Sequence, residues 1–340
     1  MTDQPVKTRA PAILYWLFTI ALMLILGFSI FLNVGLGIAL VLTSPSWSAT
    51  EEFAADEFPA FEEEWSFGAG EVKAVRMELS GLITRESEAG WFEPPRDKIE
   101  DLRLAIRAAS HDDAVKAIIL ELDTPGGGIT ASDEIYAELL RFKAGDPDRR
   151  VVIFMRDLAA SGGYYIAMAG DWLIAQPTTV LGSIGVIMQT LNWKGLSERI
   201  GVTDTTIKSG DNKDLLNPFR ESDPAQLAML QEMIDRMHER FRGLVSAGRG
   251  IDPEQLRQLA DGRIFTADQA LDLKLIDQVG YWSDVVTKTA ELVGADQVKI
   301  VRYYRTQRFW DYVAGIRLPF RGAWPRIASP APTFQYLWQP

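Results

Sequence analysis

The chain is 340 residues long with a formal net charge of −11, no cysteine and two histidines. That length accommodates one large domain with appended segments, and without cysteine no disulfide can staple it and no thiol can serve as nucleophile. His111 and His238 fall where the pattern reads as a helix end and a helix interior, so a serine hydrolase built from this chain would need an amine in place of imidazole as its base.

Residues 13–42 carry no charge. The run exceeds the roughly 20 residues that cross a bilayer core and the ~7–15-residue apolar region of a cleaved leader, and it reads as a retained membrane anchor. Lys7 and Arg9 precede it while Glu51, Glu52, Asp56 and Glu57 follow, so the positive-inside bias puts residues 1–12 in the cytoplasm and the body of the protein outside it. Residues 43–70 then form an acidic linker: 44–70 hold seven carboxylates and no basic side chain. With neither a helical nor a strand period, this stretch reads as a tether.

A globular domain is expected over 71–298. Short β-branched runs alternate there with longer helical ones, the pattern of an α/β domain with parallel strands. VKAVRMEL (72–79) reads as a strand, DKIEDLRLAIRAAS (97–110) as a helix with Ile99, Leu102 and Ile106 on one face, and VKAIILEL (115–122) as a buried strand. A PGGG turn follows, then a helix over 129–142, a strand at VVIFM (151–155) and a helix over 161–169. Beyond residue 213 helical spacing dominates, at 223–246, 253–260 and 267–273. The last segment, 299–340, reverses the charge: seven basic residues stand against Asp311, with Trp310, Trp324 and Trp338 interleaved. Such a tail suits an anionic lipid surface, and its ending APTFQYLWQP could cover a site on the body. Nucleic acid is a poor partner for an acidic body that is expected to be exported.

Two glycine turns carry chemical potential. In AASGGYY, Ser161 precedes Gly162 and Gly163, so the backbone can turn sharply and present a hydroxyl and adjacent N–H groups at a helix start. In DTPGGG, Gly126 and Gly127 offer N–H groups of the kind that hold an oxyanion in acyl transfer. The strand ends of an open parallel sheet face one crevice, so both turns would line it, although each alone is also an ordinary tight turn. Lys213, in KSGDNKD, lies between Asp211 and Asp214 and by spacing alone reads more readily as a solvated side chain than as a base. A basic amine must be neutral, which takes a dry, apolar site. Ser183, in LGSIGV, could orient such an amine or simply form its turn. Tyr164, Tyr165 and Met188 are candidates for an apolar substrate pocket or for ordinary core.

The runs DTPGGG, AASGGYYIA, LGSIGVIM, IKSGDNKDLLNPFR and DGRIFTADQALDLKLID occur in that order, and over residues 71–282 the chain resembles the signal peptide peptidase A family, membrane-anchored Ser-Lys proteases of bacteria and their relatives. The resemblance implies Ser161 as nucleophile, Lys213 as general base, Ser183 as the hydroxyl that positions the lysine, and Gly126 and Gly127 with the N–H of Gly162 as the oxyanion hole. It implies a Clp/crotonase-like ββα superhelix in place of a plain doubly wound sheet. It further implies a homo-oligomer, octameric in half-length members, whose sites combine residues of neighbouring subunits, and a bacterial inner-membrane location. DTPGG stands where NSPGG is commoner in the family.

The activity so implied is endopeptidase cleavage of signal-peptide remnants and other unstructured apolar peptides through an acyl-enzyme, with no cofactor or metal. Two readings from other classes are a catalytically inactive, membrane-tethered oligomeric scaffold of the same fold, and a crotonase-type acyl-thioester enzyme that uses the glycine turns without a nucleophilic serine. Neither competitor should be labelled by an active-site serine probe.

Overall fold

The computed structural model describes residues 10–43, 59, 61–85, 97–304 and 335–337, and the chain divides into two compact units, Met1–Ala54 and Ala55–Pro340. In the first, Ala10–Thr43 form a single helix, α1. Its apolar stretch Tyr15–Ile38 is exposed. Polar side chains there close on the helix's own carbonyls: Thr19 Oγ1 donates to Trp16 at 2.9 Å and Asn33 Nδ2 to Ser29 at 2.6 Å. The stretch has 24 residues, and at ~1.5 Å per residue it spans about 36 Å, so α1 fits a single-pass membrane anchor.

The second unit runs β1 (Glu62–Phe67), β2 (Val72–Ser80), α2 (Lys98–His111), β3 (Val115–Thr124), β4 (Gly126–Gly128), α3 (Ile129–Ala144), β5 (Arg150–Ala160), α4 (Gly162–Ala167), β6 (Trp172–Ala175) and β7 (Val180–Gly182). It continues through α5 (Lys194–Ile200), a 3-10 turn at Asp211–Asp214, α6 (Pro224–Arg249), α7 (Pro253–Leu259), β8 (Ile264–Thr266), α8 (Ala267–Asp272), β9 (Gln278–Val279), α9 (Trp282–Leu292), β10 (Val298–Tyr304) and β11 (Gln335–Leu337). The main sheet has the order β1-β10-β2-β3-β5-β6-β9. All neighbours along it are parallel except β1 against β10.

Period-two alternation divides the buried strand residues between two apolar clusters. Ile118, Leu120, Val151, Ile153 and Met155 join one cluster with residues of α2, α3, α4 and α6, whereas Ala117, Ile119, Val152 and Phe154 join Val285 of α9 on the other face. Glu121, buried on the second face, is neutralised by Arg76, whose guanidinium lies 4.2 Å from the Trp282 ring centroid. Helix starts follow their caps: the Asp97 carboxylate accepts from the amides of Ile99 and Glu100 at 3.0 and 3.1 Å.

Three consecutive units share one plan of long strand, short pairing segment and helix. After β2, Ile83 bridges Gly127 before α2; β3 passes into β4 and then α3; β5 turns its last residues, Leu158–Ala160, onto β7 before α4. This is the Clp/crotonase-like ββα arrangement.

Two segments fold otherwise than their charge suggests. Glu62–Phe67, expected within the acidic tether, form the edge strand β1, with Glu62 paired to Tyr304 and Glu64 to Arg302. An edge strand needs main-chain pairing but no buried face, so its carboxylates stay in water. Residues 299–304, expected at the head of the basic tail, lie in β10 between β1 and β2, where Val298, Ile300 and Val301 are buried. Trp310, Trp324 and Trp338 lie outside the described residues. Tyr164 and Tyr165 are fully buried and belong to the core: the Tyr164 hydroxyl donates to the carbonyl of Leu275 at 2.7 Å. Met188 is only partly buried.

Candidate active site

The site forms where β3, β5 and β7 end. At the end of β3, Thr124 Oγ1 accepts from the amide of Gly126 at 3.0 Å and donates to the carbonyl of Gly81 at 2.6 Å, shaping the start of the glycine turn. Gly126 and Gly127 have φ of 99° and 157°, a region closed to other residues. Ile83 lies along one edge of β4: its amide donates to Gly126 at 2.8 Å and its carbonyl accepts from Gly128 at 2.8 Å. A Cβ at Gly127 would overlap the Ile83 carbonyl.

β5 delivers Ser161 as the N-cap of α4, with φ 54° and ψ −111°. Its amide donates to the carbonyl of Gly182 at 2.7 Å and its carbonyl accepts from Tyr165 at 2.8 Å, so both sides of the peptide are held. The residue is 1% exposed, and among the described residues Oγ has no hydrogen-bond partner. A buried hydroxyl left unpaired costs roughly 1–3 kcal/mol. The two glycine turns meet: the β-position of Gly162 lies 3.3 Å from the amide nitrogen of Gly127 and 2.6 Å from Ser132 Oγ. No side chain fits between them.

Ser183 follows β7 with φ 51° and is 6% exposed. Its amide donates to the carbonyl of Arg263 at 2.8 Å. Ser161, Ser183, Gly126, Gly127 and Gly162 therefore share one end of the sheet. Asp123, at the place where asparagine is commoner in the resembled family, accepts from the amide of Leu158 at 3.2 Å and ties β3 to the turned end of β5.

Lys213 does not join this group within the chain. It lies exposed in the 3-10 turn Asp211–Asp214, and the unpartnered Ser161 Oγ shows that its amine is not within bonding reach. The neighbouring Asp214 is taken by other cations, Lys208 at 2.7 Å and Arg220 at 2.9 Å. The segment around it exposes large apolar side chains, among them Trp193, Ile200, Ile207, Leu227 and Met233, with Ile207 97% exposed. Neither histidine bonds Ser161 Oγ. His238, in α6, is held below the ordinary histidine range by burial, with the charge of Arg242 second.

Sequence reasoning missed Ile83, Thr124 and Ser132, which shape the glycine turns, and the Arg263 carbonyl under Ser183. Thr124 and Arg263 stand inside the runs DTPGGG and DGRIFTADQALDLKLID, but their roles, like those of Ile83 and Ser132, come from contacts that no motif spells out.

The model of Peptidase family S49 matches residues 143–296, a stretch that includes Ser161, Ser183 and Lys213. The chain is 34% identical over 242 residues to a putative signal peptide peptidase SppA of Enterococcus faecium, covering 71% of this chain and 70% of that protein. It is 35% identical over 209 residues to Protease 4 of Salmonella typhi, covering 61% of this chain and 33% of that longer protein. Among solved structures, a ClpP1 mutant from Listeria monocytogenes matches at 17% identity and a TM-score of 0.41, over 62% of this chain and 93% of that one.

Proposed function

The chain belongs to peptidase family S49, the signal peptide peptidase A proteases, and from that premise we propose that Ser161 is the nucleophile and Lys213 the general base of a membrane-anchored endopeptidase. The observation that carries this reading is the Ser161 hydroxyl, buried and without a hydrogen-bond partner among the described residues, one residue before Gly162, whose β-position lies 3.3 Å from the amide nitrogen of Gly127. Neutral Lys213 takes the proton of Ser161 Oγ as the oxygen attacks the substrate carbonyl. Amides of Gly127 and Gly162 receive the oxyanion, while the amide of Gly126, expected to join them, is bonded to Thr124 Oγ1 and shapes the turn instead. The tetrahedral species collapses with loss of the amine, which takes the proton from the lysine, and water then releases the acyl group by the same steps. Ser183 holds the lysine amine.

The lysine comes from a neighbouring subunit. The apolar side chains exposed around Lys213 support this, since surfaces of that kind are covered in assemblies. A ring in which this segment packs on the next subunit would also dry the amine, as a neutral base requires. Substrates are cleaved signal-peptide remnants and other extended apolar peptides, met at the membrane where α1 holds the enzyme. The N-terminus lies on the cytoplasmic side of the bacterial inner membrane and residues 71–298 act outside.

The test is hydrolysis of an apolar fluorogenic peptide by the full chain in detergent. Ser161→Ala and Lys213→Ala should each be inactive while folded and assembled, and their co-assembled mixture should recover about a quarter of wild-type activity, the fraction of junctions that random mixing completes. Activity retained in Lys213→Ala would remove lysine as the base, and mixtures without recovery would return both residues to one subunit.

A further inference from the structure

α4 is only six residues long, from Gly162 to Ala167, and its first two positions are glycines. A helix of that length is not stable on its own hydrogen bonds, and the glycines give its first turn no side chain by which to be held. That turn nonetheless carries the Ser161 carbonyl, bonded to the amide of Tyr165, and the amide of Gly162. Its anchors are the two tyrosines that follow. The Tyr164 hydroxyl reaches the carbonyl of Leu275. The Tyr165 hydroxyl donates to Asp133 Oδ1 of α3 at 2.5 Å and accepts from Arg240 Nε of α6 at 3.0 Å. Arg240 Nη2 donates to the same Asp133 oxygen at 2.6 Å, which closes a triangle of bonds between three helices.

From this triangle we infer that Asp133, Tyr165 and Arg240 are positioning residues for the oxyanion hole: together they fix α4 against α3 and so set the separation of the amides of Gly162 and Gly127. The inference rests on Ser161 being the nucleophile. The two donors stand on different elements, since Gly162 opens α4 whereas Gly127 lies in β4, which passes into α3 with Gly128 as its N-cap. Two consecutive residues of α3 meet α4. Ser132 Oγ donates to the carbonyl of Gly128 at 3.0 Å and lies 2.6 Å from the β-position of Gly162, and Asp133 takes Tyr165. Bonds to a carboxylate and a guanidinium are charge-assisted and stronger than neutral ones, and the planar fork of Arg240 fixes both partners at once, which an ammonium cannot do. The Tyr165 ring packs on Tyr136 and Phe241, with centroids 5.6 and 5.2 Å away, so its packing survives loss of the hydroxyl. The three residues act through α4 and not on the substrate.

The experiment uses the full chain in detergent and compares Tyr165→Phe, Arg240→Lys and their combination with wild type. The Arg240 side chain is 56% exposed, so Arg240→Lys keeps the fold even where Tyr165→Phe does not. Three quantities are read: kcat and KM on a short apolar fluorogenic peptide, the inhibition constant of a peptide boronate, whose tetrahedral adduct on the serine needs the same donors, and the unfolding temperature. Displaced donors should lower kcat about tenfold in Tyr165→Phe and several-fold in Arg240→Lys, less than the roughly 10²–10³ of losing a donor outright, with KM within about twofold. The boronate should weaken by the same factor as kcat/KM, as a transition-state analogue does. The double variant should be no worse than Tyr165→Phe alone, because either change opens the triangle. A merely structural role lowers the unfolding temperature and leaves kcat and boronate affinity of the folded enzyme unchanged. That result in the single variants, or losses that multiply in the double variant, overturns the inference while labelling of Ser161 by a fluorophosphonate leaves the protease reading intact. A wild type whose Ser161 takes no label overturns the nucleophile and the positioning role with it.

Discussion

Ser161 and Ser183 stand one residue beyond Ala160 and Gly182, the last paired positions of two adjacent parallel strands, and the amide of Ser161 donates to Gly182 at 2.7 Å. Both serines leave their strands with positive φ, 54° and 51°. A non-glycine residue in such a conformation costs on the order of 1–3 kcal/mol. The same register thus delivers two hydroxyl residues side by side at a cost that a plain turn would avoid by using glycine.

Replacing Ser161 by glycine removes that cost together with the unpaired hydroxyl. Ser161→Gly should unfold at a temperature about 2–4 °C higher than wild type, corresponding to ~1 kcal/mol, while losing all hydrolysis. Ser161→Ala keeps the positive φ and should fall between the two. Thermal unfolding followed by circular dichroism orders the three, and a wild type more stable than Ser161→Gly would contradict stored backbone strain at this site.

Gly162→Ala places a methyl 2.6 Å from Ser132 Oγ and 3.3 Å from the amide of Gly127. The glycine turns must part, and kcat should drop by about 10²-fold or more, the scale of losing an oxyanion donor. Ser132→Ala relieves the nearer clash, so Gly162→Ala/Ser132→Ala should be more active than Gly162→Ala alone. A double-mutant cycle on kcat measures the coupling, and strict additivity would show that the two residues do not press on each other.

Ile207 is 97% exposed within the segment that carries Lys213. Ile207→Asp should leave the subunit's own stability within about 0.5 kcal/mol but dissociate the assembly and abolish activity. Light scattering coupled to size exclusion reads the first effect and peptide hydrolysis the second. An intact, active assembly would place the contact elsewhere.

Burial keeps His238 below its ordinary value of 6.5 in the folded chain. Below pH 6.5 the unfolded chain therefore binds a proton that the folded chain resists, so stability present at neutral pH declines as pH falls through that value. Wild type should lose more unfolding temperature between pH 7.5 and 5 than His238→Gln. Equal losses would assign the acid sensitivity to other groups.

Much of this architecture was legible in the chain itself. β3 and β5 announced themselves because central parallel strands must be apolar on both faces, β2 through the alternation of Val75, Met77 and Leu79 with charged residues, and α2 and α6 through spacing and through caps at Asp97 and Asp223. β1 and β10 were hidden by composition: EEEWSF has no face to bury, and the alternation of Val298 and Ile300 with Lys299 was outweighed by the basic residues that follow. At the site, Ser161 and its glycines were conspicuous because a hydroxyl followed by two glycines at a helix start can present both a nucleophile and free N–H groups. The positive φ of Ser183 and the roles of Ile83 and Ser132 were not, since they arise from neighbours far away in the chain. The distance of Lys213 from Ser161 was equally illegible, because local spacing says nothing about how segments 52 residues apart are brought together.

The pairing of Glu62 with Tyr304 has a mechanical consequence. The main sheet receives its first strand and its last at adjacent positions, β1 at the edge and β10 beside it. Load applied through β1 is borne first by the β1–β10 ladder, while the strands that present Ser161 and Ser183 lie beyond β2 and β3. A membrane segment could be moved from the N-terminal to the C-terminal side of the body without rerouting a strand.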